Sequence, residues 1–150
     1  DQKRLFLRGE MKEHNKNLAM AAKAAGVFNY ANFQDYGYMG LYDGLRQKDI
    51  HLKKKLKSTE GILDHMGGEE LAANLFRATQ TEAKLKRELI QGQNNANKTH
   101  YEVGKKIRKT ITELGGTMPE KLSTPDSINE SKKRVKTLNK LKKVKSAKNS

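Results

Sequence analysis

Four histidines, His14, His51, His65 and His100, are the side chains of this sequence best suited to acid–base or metal chemistry. None belongs to an HExxH pair or to another His–carboxylate set at ligand spacing. The nearest approach to a nuclease-type divalent site is Asp64-His65 followed by Glu69-Glu70. Adjacent residues on a helix point about 100° apart, so Asp64 and His65 do not readily share one ion. His14 and His100 fall within apolar stripes, where a hydrogen-bonded core histidine is the commoner outcome. Cysteine is absent, which removes disulfides, thiolate zinc sites and thiol nucleophiles and fits a reducing compartment. No Ser/His/Asp order and no phosphate-binding glycine loop is present. This inventory points away from an enzyme and implies no cofactor and no metal.

Lysine is what the chain has in excess. Thirty-one Lys and Arg against 17 Asp and Glu leave a net charge of +14, which implies an anionic partner, either nucleic acid or an acidic protein surface. The basic residues come in clusters: Lys53, Lys54, Lys55 and Lys57; Lys84, Lys86 and Arg87; Lys105, Lys106, Arg108 and Lys109; and Lys132, Lys133, Arg134 and Lys136. The last is prolonged by Lys140, Lys142, Lys143 and Lys145. A single cluster is ordinarily a solvated face, but several without compensating acids favour an anionic partner. Lysine outnumbers arginine in them, which favours sequence-independent phosphate contacts over base reading. Six to ten such contacts make affinity fall by about 10³ to 10⁵ between 50 and 200 mM salt.

Two other features bear on nucleic acid. LDHMGGEELAANLF and ITELGGTMPEKL resemble degenerate helix-hairpin-helix turns, whose glycines let backbone N–H groups approach a phosphate. Glu69 and Glu70 would repel that phosphate, so structural turns between packed helices are the plainer reading. The tyrosines between 30 and 42 could stack on single-stranded bases. Their density among apolar neighbours makes a core role the better account.

Helices must position these groups. Leu7, Met11, His14, Leu18, Ala21 and Ala25 alternate four- and three-residue steps, one stripe of a helix that Gly26 ends. Residues 28–45 hold Phe28, Tyr30, Phe33, Tyr36, Tyr38 and Tyr42, punctuated by Gly37, Gly40 and Gly44, and read as short helices and turns. A basic helix follows from about Arg46 to Lys57. From Glu69 to about Leu89 the stripe returns with Leu71, Leu75, Ala78 and Leu85; the acidic start and basic finish complement the helix dipole. QGQNNAN at 91–97 reads as a loop ending in an Asn cap. The next helix carries Ala96, His100, Val103, Ile107, Thr110 and Leu114 on one face and stops at Gly115-Gly116. Thr124-Pro125 suits the cap and first position of a last helix. No alternating strand pattern of useful length occurs, so the expected fold is all-α. We divide it into a helical domain over 1–128 and a basic helix or tail over 129–150, disordered beyond about 142. No apolar run approaches the roughly 20 residues that cross a bilayer and no signal peptide is visible, so a soluble, cytoplasmic protein without a membrane partner is expected.

The wording of several strings goes further than periodicity. LDHMGGEELAANLFRATQTEAKLKRE and GGTMPEKLSTPDSI resemble the bacterial DNA-damage-inducible protein D family. RLFLRGEMKEHNKNLAMAAKAAGV at 4–27 resembles its long helix and FQDYGYMGLYDGLRQKDIH at 33–51 its aromatic-glycine segment. The likeness covers most of residues 1–128. Asp43 and Lys55 stand where the family pattern has glycine, and the tail after 129 carries no family wording. The resemblance implies a carboxyl-terminal region that lacks the family's antirepressor-type amino-terminal domain, and a chain opening on Asp1 fits that. It further implies a non-enzymatic, nucleoid-associated protein of the SOS response that modulates homologous recombination through DNA or a RecA-type recombinase filament. The alternatives are a helical oligomerisation or interaction module, its stripes pairing with another copy or with the missing domain, and a phage-type antirepressor accessory protein.

Overall fold

The computed structural model describes residues 1–126 and 128–148. Six α-helices carry the architecture: α1 (Gln2–Ala24), α2 (Tyr30–Leu41), α3 (Gln47–Lys53), α4 (Gly68–Arg87), α5 (Gln93–Glu113) and α6 (Ile128–Lys148). Single 3₁₀ turns lie at Ile62–His65 and Pro119–Lys121, and the described residues include no strand. The fold is all-α.

The apolar stripes find each other across long stretches of chain. α1 packs along α4, burying Met11, Leu18, Ala21 and Ala22 against Ala78 and Leu85. α2 packs along α5, with Phe33 over His100 at the start and the Leu41 carbonyl accepting from Arg108 at the end. Each pair runs in the same direction, since Arg4 reaches the Met66 carbonyl at one end of α1 and Gly92 reaches the Ala25 carbonyl at the other. Parallel neighbours need long connections, which is why each helix pairs with the one three elements on.

Glycine decides how closely α2 approaches α5. Gly37 and Gly40 lie inside one continuous helix, not in the turns their composition suggests. A Cβ on Gly37 would stand 2.2 Å from the His100 ring, and one on Gly40 would stand 2.2 Å from the Tyr101 carbonyl oxygen. Gly104 answers from α5, where a Cβ would meet the Gly37 carbonyl oxygen at 2.7 Å. The two backbones therefore touch, and any side chain at these positions separates them.

Under this contact runs a buried polar chain. Lys54 donates to Glu70 at 2.7 Å, and the Tyr42 hydroxyl donates to the other Glu70 oxygen at 2.5 Å. Asn74 donates to Tyr42 at 2.9 Å and accepts from Arg77 through its Oδ1 at 3.2 Å. Arg77 then donates to His100 Nε2 at 2.6 Å, while His100 Nδ1 faces the Phe33 carbonyl at 2.8 Å. A guanidinium only donates and a carbonyl only accepts, so His100 is the neutral Nδ1–H tautomer. Burial, and then the Arg77 charge, hold its pKa well below the ordinary 6.5. Every polar member of this chain has a partner, which is what makes its burial tolerable.

Several local expectations change register. Leu114 does not close the α5 stripe: the helix ends at Glu113, the chain turns at Gly115 (φ 76°), and Leu114 is left 80% exposed. The α5 start lies at Gln93 behind a Gly92 cap, so the asparagines of 94–97 sit inside the helix instead of capping it. Asn97 is buried against Asn32, and Gln93 accepts from the backbone N–H groups of Phe28 and Asn29 just ahead of α2, which the Asn29 side chain caps. Thr124-Pro125 precedes the last helix without starting it; the Pro125 carbonyl faces His65 Nδ1. The basic segment read as disordered beyond 142 is helical to Lys148, and residues 149–150 lie outside the described residues.

Five helices end through a left-handed residue, at Gly26, Asp43, Lys55, Leu89 and Gly115. The backbone closes the same way each time; Leu56 N–H reaches the His51 carbonyl just as Val27 N–H reaches that of Ala22. Asp43 (φ 54°) and Lys55 (φ 56°) thus hold the left-handed conformation that glycine reaches more readily. A left-handed residue with a Cβ costs about 1 kcal/mol or more. Lys55→Gly should therefore raise the free energy of unfolding by about 1 kcal/mol in urea denaturation. Lys55→Ala, which removes the charge and keeps the strain, should not.

Candidate nucleic-acid interface

A cluster of cations without a carboxylate ion pair among the described residues lies on the outward face of α5. The helix turns its Ala96/His100/Ile107 side inward, which sends Lys105, Lys106 and Lys109 into solvent. None of the three forms an ion pair with a carboxylate among the described residues; Lys105 instead leans over the Tyr101 ring at 5.9 Å. Glu102 shares this face and is occupied with Lys98 at 4.0 Å.

A groove lies on each side of that ridge. Towards α2, a cleft of about 480 Å³ is floored by Met39, Gly40 and Tyr101, with Lys105, Lys106 and Lys109 on its rim. Towards α4, one of about 410 Å³ is floored by Phe76, Val103 and Ile107, with Lys84, Arg87 and Lys106 around it. Tyr101 is 36% exposed and Phe76 52% exposed. Lys106 and Glu102 border both grooves, so the two form one continuous basic surface.

The remaining basic residues divide. Lys54 is withdrawn from solvent, its side chain 6% exposed in the ion pair with Glu70, so it belongs to the core and not to a binding face. Glu70 is likewise internal, which removes the phosphate repulsion assigned to it; the Gly67-Gly68 turn simply starts α4. Arg108 is largely covered, bonding Glu120 at 2.7 Å and the Leu41 carbonyl. Burial pushes the Glu120 carboxyl up, but the Arg108 hydrogen bond, a backbone hydrogen bond and the Arg108 and Lys121 charges together hold it below its usual value. Lys86 pairs with Glu82 and Arg87 lies 3.8 Å from Glu88, both on the surface. Arg134 bonds Asp1 and Asp126, which ties the base of α6 to the start of α1. Arg4 reinforces the tie by donating to the carbonyls of Met66, Asp64 and Asp126. Lys53, Lys55 and Lys57 form a second exposed patch at the end of α3. Lys132, Lys133 and Lys136 are exposed on α6. With Lys140 and Lys143, Lys132 and Lys136 recur every three or four residues and so share one side of that helix.

The structure joins what lies apart in the sequence: Lys84 and Arg87 meet Lys106 across one groove, and Lys105 and Lys109 frame another. Sequence reasoning overlooked Tyr101 and Phe76. The signal for Tyr101 was its place four residues before Lys105. For Phe76 it was a position one residue off the Leu71/Leu75/Ala78 stripe, too far round the helix to be buried. The tyrosines of the 30–42 segment go elsewhere: Tyr38 and Tyr42 are core. Among the described residues no three of His, Asp and Glu gather as a metal would require.

An all-helical, strongly basic domain of this kind matches the DinD C-terminal domain family over residues 1–145, and the chain belongs to that family. It is similar to DNA damage-inducible protein D of Escherichia coli (strain K12), with 60% identity over 140 residues that cover 91% of this chain and 51% of that protein. The chain thus spans about half the length of that relative and aligns with its carboxyl-terminal part. No solved structure matches the chain. Kinship with a protein so named supports a role in the DNA-damage response. No described helix is long and apolar enough to cross a membrane.

Proposed function

We propose that this domain binds nucleic acid without reading its sequence, and that it modulates homologous recombination in the damage response by occupying DNA or the recombinase filament formed on it. It acts by occupancy, with no catalytic step and no cofactor, and works at the nucleoid. The observation that carries this reading is the α5 face, where Lys105, Lys106 and Lys109 stand exposed without ion pairs among the described residues. Three ammonium groups held together on a rigid helix repel one another, and a polyanion relieves that repulsion. Lysine gives charge without the bidentate fork that reads guanine, which fits sequence independence.

The test is a binding titration of single- and double-stranded DNA across salt, with and without a recombinase. Lys105→Glu, Lys106→Glu and Lys109→Glu together remove three contacts, so the slope of log affinity against log salt should shrink by about two to three. Identical titrations for the variant and the parent chain would sink the proposal.

A second reading, an interaction module, draws on one observation. A groove of about 410 Å³ between the start of α4 and the end of α5 is lined almost wholly by apolar side chains, among them Ala73, Phe76, Ile111 and Leu122. On that reading sedimentation shows a salt-insensitive dimer, or a complex with the family's amino-terminal domain, and the DNA titration shows no binding.

A further inference from the structure

We infer that the ligand of the α5 surface is a single strand whose bases are unpaired, and that Tyr101 and Phe76 are the stacking platforms, one in each groove flanking the lysine ridge. The inference rests on the polyanion reading above and adds the feature that separates single strands from duplex. Two exposed aromatic rings stand next to cations, Tyr101 under Lys105 and Phe76 on the groove that Lys84, Arg87 and Lys106 border. Phe76 and Tyr101 leave ring surface in water, unlike Phe33, Tyr38 and Tyr42, which are buried.

The geometry suits a strand and not a duplex. A duplex offers a ridge of phosphates with its bases stacked inside, and aromatic rings at the bottom of grooves cannot reach them. An unpaired strand can lay its phosphates along Lys105 and Lys106 and let its bases drop to either side. Each groove, about 480 and 410 Å³, lies within the roughly 300–1,000 Å³ of small-ligand clefts and holds one aromatic ring among its basic residues, with Glu102 bordering both and Asp43 the first. Lys105, poised 5.9 Å above Tyr101, is placed to meet the phosphate of a base lying on that ring. Stacking on a ring tolerates every base, so sequence independence is preserved.

The experiment measures fluorescence anisotropy of the whole chain against three probes of equal length: an oligothymidylate, its abasic counterpart and a duplex. The chain should bind the oligothymidylate roughly ten-fold more tightly than the abasic strand, and Tyr101→Ala or Phe76→Ala should each erase much of that difference. Tyr101→Phe should keep it, and duplex affinity should change little in any of the three. Equal binding of the oligothymidylate and the abasic strand, with intact salt dependence, would overturn the stacking inference and leave the polyanion reading standing. Binding of none of the probes would overturn both.

Discussion

Arg77→Ala should lower the free energy of unfolding by about 3 to 5 kcal/mol, a large part of the roughly 5–15 kcal/mol that holds a domain folded. Arg77 is fully buried with its guanidinium 4.8 Å from the Tyr38 ring centre. Removing it opens a cavity under that ring. It also leaves Asn74 Oδ1 and His100 Nε2 facing protein with no donor, and each such loss carries the full desolvation cost of a buried acceptor. Arg77→Lys should recover only a part, because one ammonium cannot follow a fork that reaches Asn74 on one side and His100 on the other. The urea midpoint of each variant measures the effect, and a midpoint within error of the parent chain would show that the polar chain is dispensable. His100 adds a pH signature. Its folded pKa lies well below the ordinary 6.5, so on acidification the unfolded chain takes up a proton that the folded one refuses. The stability of the parent protein should then fall as pH drops below about 6.5.

Gly40→Ala is the second large effect, and its sign is opposite to helix propensity. Alanine is the better helix former by about 1 kcal/mol, and Gly40 is inside a helix. Its added methyl would nevertheless lie 2.2 Å from the Tyr101 carbonyl oxygen and 2.9 Å from the Lys105 amide nitrogen, both backbone atoms that cannot rotate away. α2 and α5 must move apart, at a cost of about 1 to 3 kcal/mol or more after the propensity gain. Gly9→Ala in α1 is the control, since Gly9 is exposed and nothing lies within 4 Å of an added Cβ. It should stabilise by about 0.5 to 1 kcal/mol. Thermal denaturation of both variants separates the effects; a stabilised Gly40→Ala would mean that the two helices are not in backbone contact. The same variant bears on function, because the displaced segment carries Tyr101 and Lys105.

The long helices α1, α4 and α5 were legible because each is amphipathic on its own: Met11, Leu18 and Ala21 mark a buried face whatever packs against it. Family membership was legible in the same way, from strings read in order. The pairing of α1 with α4 and α2 with α5 was not, since periodicity says which face is apolar and nothing about which other face covers it. Nor could spacing show that Lys54 and Glu70 leave the surface. Sixteen residues separate them, and only the packing of α3 beside the α4 start brings them to 2.7 Å in a buried site. For Gly37 and Gly40 the sequence offered turns, because a glycine's value in close helix contact depends on neighbours far along the chain, here His100 and Tyr101. By itself, then, the sequence determined an all-helical, lysine-rich chain of a recognisable family, since charge and amphipathicity are local properties. The tertiary structure alone decided which lysines face solvent together and which rings lie between them, because that choice is made by long-range packing.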